Sequence, residues 1–152
     1  MVDESKNILL GVGNDLRSDD GAGSYIANHF YRDEWISLDG RSAPENFTSV
    51  IKRIRPRLLM IVDAAQMDVD AGQFRIIPKD KIGSIQFSTH SMSLEFLITY
   101  LSPYCHSILL VGIQPLTTKM SHSLSTSVLE GCKELIQLLK KNDFDKIPLL
   151  NS

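Results

Sequence analysis

Acidic and imidazole side chains stand at three points of this 152-residue sequence where the chain would leave them free to do chemistry. The first is Asp20, second of an acidic pair inside the glycine-rich stretch Gly11-Val-Gly-Asn-Asp-Leu-Arg-Ser-Asp-Asp-Gly-Ala-Gly23. The second is Asp63, which follows the apolar run Leu58-Leu-Met-Ile-Val62. The third is His90, within Ser88-Thr-His-Ser91. Two carboxylates and one imidazole, with coordination positions left open, suit a divalent first-row metal. An imidazole near a helix N-terminus stays neutral, the form a metal takes. Each residue alone has a plainer use: Asp20 as a helix cap, Asp63 bonded to a turn, His90 as a structural histidine. Residue types alone reach a cation site, provided the fold brings the three together.

Other chemistries fail on pattern. Gly11-Val12-Gly13 opens like a dinucleotide fingerprint, but Leu16 stands where the third glycine belongs. No GxxxxGKS/T phosphate loop, HExxH or GxSxG element occurs. Cys105 and His106 are adjacent, so on an extended segment they point to opposite faces. His29, His106 and His122 have no partner pattern, and the methionines are scattered as packing residues. Sixteen Lys and Arg balance eighteen Asp and Glu, and no basic block suggests a nucleic-acid groove or a polybasic membrane surface. Apolar runs fall far short of the ~20 residues of a membrane span, and the N-terminus is acidic rather than signal-like. Cys105 and Cys132 lack metal or redox spacing and read as free thiols. The expectation is a soluble cytoplasmic protein with one domain over 1–152, a core at about 6–141 and a loose tail at 142–152.

The elements that must position these residues alternate. Strands are expected at Ile8–Val12, Trp35–Leu38, Leu58–Val62, Phe74–Ile77 and Ile108–Ile113. Helices are expected over Ser24–Tyr31, from Pro44 to before Pro56, between His90 and Pro103, and over Ser123–Lys141. Gly131 would weaken the last helix by ~1 kcal/mol against Ala. This order predicts an α/β three-layer sandwich: a mostly parallel five-stranded sheet with helices on both faces. Ligands of such sheets sit beyond the carboxyl ends of the strands. Asp20, Asp63 and His90 would then converge on one rim.

The glycine–acid loop, Gly11-x-Gly-Asn-x-Leu-x-x-Asp-Asp-Gly-x-Gly23, resembles the signature of the nickel-iron hydrogenase maturation endopeptidases. The resemblance continues through Asp39-Gly40, Pro44-Glu45-Asn46, Ile61-Val62-Asp63-Ala64, Arg75-Ile76-Ile77, Thr89-His90 and Gly112-Ile113-Gln114-Pro115, and so spans about residues 8 to 140. Pro-Glu-Asn and Gly-Ile-Gln-Pro look most like the branch serving hydrogenase 3 of the formate-hydrogenlyase type. Asp15 and Ser93 depart from the usual residues at their positions. The resemblance implies a phosphorylase/hydrolase-like fold and an aspartic-type peptide hydrolase. Such an enzyme removes the C-terminal extension of a hydrogenase large-subunit precursor after nickel insertion. Asp20, Asp63 and His90 would be both the catalytic and the nickel-binding residues. The nickel would be carried by the precursor's cysteines rather than bound permanently. A monomer is expected, with no nucleic-acid partner and no membrane insertion.

Two other readings belong beside it. An acidic pair after strand one and an Asp ending strand three also resemble a receiver domain, with Asp63 as phosphoacceptor, Asp19 and Asp20 on magnesium and Thr89 as switch hydroxyl. Against it, Gln114-Pro115 stands where a receiver needs lysine. A relative that senses nickel without proteolysis is the remaining alternative.

Overall fold

The computed structural model describes residues 6–88 and 93–151. The strands are β1 (Asn7–Gly11), β2 (Trp35–Asp39), β3 (Leu58–Gln66), β4 (Phe74–Ile76), β5 (Gln86–Phe87) and β6 (Ser107–Ile113). The helices are α1 (Ala22–His29), α2 (Thr48–Ile54), α3 (Leu94–Leu101) and α4 (Thr126–Lys140). The sheet runs β2-β1-β3-β6-β4. Its first four strands are parallel and β4 is antiparallel to β6.

Strand alternation divides the core. Leu9, Met60, Val62 and Val111 face one side and pack with Ile26 of α1 and Val128, Cys132, Leu135 and Leu139 of α4. Ile8, Leu10, Leu59 and Ile61 face the other and pack with Ile51 of α2 and Leu94, Leu97 and Leu101 of α3. Each fully buried aliphatic side chain contributes about 1.5–3 kcal/mol. A sheet that is apolar on both faces must be covered on both, which gives the three layers.

All five expected strands are present, and the differences lie at their ends. β3 runs on to Gln66, so Asp63 lies inside a strand, paired with Gly112, rather than in the loop after it. β1 ends at Gly11 opposite Val62, which leaves the end of β3 projecting beyond its neighbour. The projecting Ala65 and Gln66 pair with β5, a two-residue strand too short to carry a sequence pattern. Single turns of 3-10 helix, Ser18–Gly21 and Pro44–Phe47, precede α1 and α2. α3 starts on Ser93, whose hydroxyl accepts the Phe96 N–H.

The tail expected to be loose is packed instead. Ile147 and Leu150 are buried, Ile76 N donates to Pro148 O, and Leu150 N donates to Ile76 O, both at 2.8 Å. Two apolar anchors, seven and ten residues beyond α4, carry no helical or strand period, which is why the sequence pattern passes over them.

Gly131 also has a reason that helix propensity does not supply. A Cβ there would lie 2.0 Å from the carbonyl oxygen of Gly72, which itself has φ +89° and donates its N–H to Gln114 O at 2.8 Å. Gly131→Ala should therefore lower stability by about 1–3 kcal/mol through overpacking, against the ~1 kcal/mol gain that propensity predicts. Urea unfolding of the two proteins decides between the signs.

Candidate active site at the carboxyl edge of the sheet

β1 leads into the glycine loop, and the loop is fixed by backbone bonds before any side chain acts. Val12 N donates to Val62 O at 2.9 Å and Gly13 N to Arg41 O at 2.7 Å. Gly13 has φ +141°, and a Cβ there would meet the backbone oxygen of Asp20 at 1.9 Å. Only glycine lets the loop fold back this closely on the acidic pair. The segment after β2 closes over it, with Gly40 N donating to Gly11 O at 2.7 Å. Asp39 steadies that segment by accepting Ser24 Oγ at 2.7 Å, Asn28 Nδ2 at 2.9 Å and Arg41 N at 3.2 Å.

The two members of the acidic pair have different tasks. Asp19 is fully buried, and its Oδ2 accepts Leu116 N at 2.9 Å, Thr117 N at 3.0 Å and Ser125 Oγ at 2.8 Å. Its Oδ1 accepts Ser125 N at 2.7 Å. Ser125 is the N-cap of α4, so the carboxylate also sits at the positive end of that helix. Ser18 reinforces the junction by donating its N–H to Ser121 O and its hydroxyl to Ser123 O, both at 2.8 Å. Spacing offers no signal for Asp19 as an organiser, because its partners come from far along the chain.

Asp20 turns the other way. It is 8% exposed and borders a cleft of about 370 Å³, with Asn14 and Arg17 of the same loop, the β3 end at Ala64–Gln66, and Ser88. Arg17 Nε lies 3.7 Å from its Oδ2.

Asp63 is fully buried behind the cleft wall. Ser88 holds both oxygens: its N–H donates to Oδ2 at 3.2 Å and its hydroxyl donates to Oδ1. Burial pushes the Asp63 carboxyl well above the ordinary carboxylate range. The nearby charge of Asp20 pushes it further, and the bonds from Ser88 and Ala64 oppose the rise. The structure thus brings Asp20 and Asp63 into electrostatic contact at one edge. His90, like Thr89, lies outside the described residues. Among the described residues no three His, Cys, Asp or Glu side chains gather closely enough to hold a metal ion.

Gln114 shapes the wall and carries no site role in the sequence pattern. Buried at the end of β6, it accepts Met67 N on Oε1 at 2.7 Å and donates from Nε2 to Gln66 Oε1 at 2.9 Å. Gln66 is thereby held where it lines the cleft. The receiver reading fails on geometry. One of its magnesium carboxylates, Asp19, is fully buried and spent on backbone and hydroxyl donors.

Two expectations follow from these carboxylates. Asp19→Asn places an amide donor among donors and should cost at least ~3 kcal/mol in chemical unfolding, whereas Ser125→Ala, which removes one donor and leaves three, should cost about 1 kcal/mol. Native Asp63 holds its proton more tightly than the unfolded chain does. Stability therefore falls as pH rises from the ordinary carboxylate range through its raised pKa, above which the cost of burying the charge is fully present. Asp63→Asn should flatten that fall when unfolding is measured across a pH series.

Comparison with known proteins agrees with this architecture. Residues 23–142 match the family model HycI, hydrogenase maturation protease. The hydrogenase 3 maturation protease of Escherichia coli K12 is 34% identical over 138 residues, covering 88% of each chain. The solution structure of the endopeptidase HycI from Escherichia coli superposes with a TM-score of 0.85 at 31% identity, covering 96% of this chain and 97% of that one. The [NiFe] hydrogenase maturation protease HycI from Thermococcus kodakarensis gives a TM-score of 0.80 at 26% identity, covering 91% and 92%. Across most of its length, in sequence and in fold alike, the chain belongs to the HycI family of hydrogenase maturation proteases and is an endopeptidase of that family.

Proposed function

We propose that this endopeptidase removes the C-terminal extension of a nickel-iron hydrogenase large-subunit precursor after nickel has been inserted, with the nickel arriving in the substrate. The observation that carries the reading is the pairing of Asp20, which opens onto the cleft, with Asp63, buried directly behind it. Their oxygens, joined by the imidazole of His90, form a donor set suited to a divalent first-row ion. In sequence His90 follows Ser88 by two residues, and Ser88 is bonded to Asp63.

The division of work follows from burial. Asp20 meets the nickel at the cleft surface. Asp63, held by Ser88 directly behind it, supplies the second carboxylate of the donor set as the precursor's nickel is seated. Gln66, on the wall, supplies amide groups that hydrogen-bond an extended peptide. The proposed setting is the cytoplasm, with the enzyme acting as a monomer on the folded precursor. No helix among the described residues is long and apolar enough to cross a membrane.

The test is the intact mass of the precursor, nickel-loaded or nickel-free, after incubation with the enzyme. The wild type should release a C-terminal peptide from the loaded form alone. Asp20→Asn, Asp63→Asn and His90→Ala should each slow release on the order of 10²-fold or more while remaining folded. Cleavage at the wild-type rate by all three removes these residues from the site, and cleavage of nickel-free precursor removes nickel as the recognition element.

A further inference from the structure

The cleft contains an ion pair that this reading leaves unused. The Arg17 side chain is 51% exposed, and its Nε is 3.7 Å from Asp20 Oδ2, beyond hydrogen-bond reach. Arg17 and Asp20 are the charged residues among the described cleft lining; the others are neutral. The backbone under Arg17 is fixed, with its N–H donated to Asn14 O at 3.1 Å and a bridge to Ser121. A half-exposed pair of this kind contributes little to stability and exchanges partners readily. The position is therefore a firm base carrying a movable positive charge beside the carboxylate that meets the metal.

We propose that Arg17 is a displaceable counter-ion that makes the site discriminate against free nickel and in favour of nickel presented with anionic ligands. The proposal rests on the reading of Asp20 as the nickel-facing carboxylate. A bare divalent ion approaching Asp20 meets the guanidinium's charge and is repelled. Nickel held by thiolates arrives inside a negatively charged shell, which the same guanidinium attracts. As the metal takes over Asp20, Arg17 swings to an anionic ligand of the incoming centre, and the pair changes partners without leaving a charge uncompensated. One residue thus supplies both the repulsive and the attractive half of the selectivity.

The measurement is free Ni2+ affinity, by competition with a chromophoric chelator at low salt, for the full chain and its variants. Arg17→Ala should bind Ni2+ on the order of tenfold more tightly than wild type, with the gap narrowing at high salt. Arg17→Lys, which keeps the charge, should stay near wild type, and Arg17→Ala combined with Asp20→Asn should lose the gain. Equal affinities for wild type and Arg17→Ala overturn the proposal. So does an absence of measurable binding by both, or a gain that survives Asp20→Asn. Failure of the underlying reading is separately visible. If Asp20→Asn cleaves loaded precursor normally while Arg17→Ala still gains Ni2+, the electrostatic gate stands and the processing role of Asp20 falls.

Discussion

A carboxylate buried without solvent must be satisfied completely by the protein, and at Asp19 that requirement organises the carboxyl edge of the sheet. Its two oxygens gather four donors from the chain after β6 and from the start of α4. Removing a buried charge's partners is far more costly than never having buried it, so the three segments are held together as one unit. The glycine loop then has one position relative to the exit of β6. Asp20 is covalently next to the fixed point and is presented to the cleft with little freedom of its own. One carboxylate is consumed by the scaffold, and its neighbour is left facing the cleft.

Asp63 obtains its precision from a different source. The register Gly11 to Val62 ends β1 early, so β3 outruns it and carries Asp63 into the site on regular backbone. A side chain on a paired strand is placed more exactly than one on a loop. The edge left free by β1 is filled by β5, and Ser88, the next residue, caps the carboxylate. The disfavoured charge on Asp63 is a stability cost concentrated at the candidate site.

Much of this was legible before the fold was known. The apolar runs at Ile8, Leu58 and Ile108 are strands because they are buried on both faces, and the α/β alternation then dictates a parallel sheet. Asp20 and Asp63 stand out in the sequence because each lies in a polar cluster that follows such a run. What escaped was whatever depends on partners distant in sequence. The clamp role of Asp19, the aid of Gln114 to Gln66, the pairing of β5 and the docking of Ile147 and Leu150 leave no periodic trace. Gly131 looked like a flaw in a helix because propensity scores a residue against its own helix. Its true neighbour is the carbonyl of Gly72 in another loop.

The packed C-terminal segment has one more effect. β4 is the last strand of the sheet, and the outward-facing N–H and C=O of Ile76 would otherwise be open to any extended peptide. Pro148 and Leu150 occupy both groups, and Pro148 can offer no N–H of its own to continue a ladder. The chain thereby closes its own sheet at that side against strand addition by another molecule. For an endopeptidase, whose substrates are themselves peptide chains, such closure removes an edge that could compete for an extended segment.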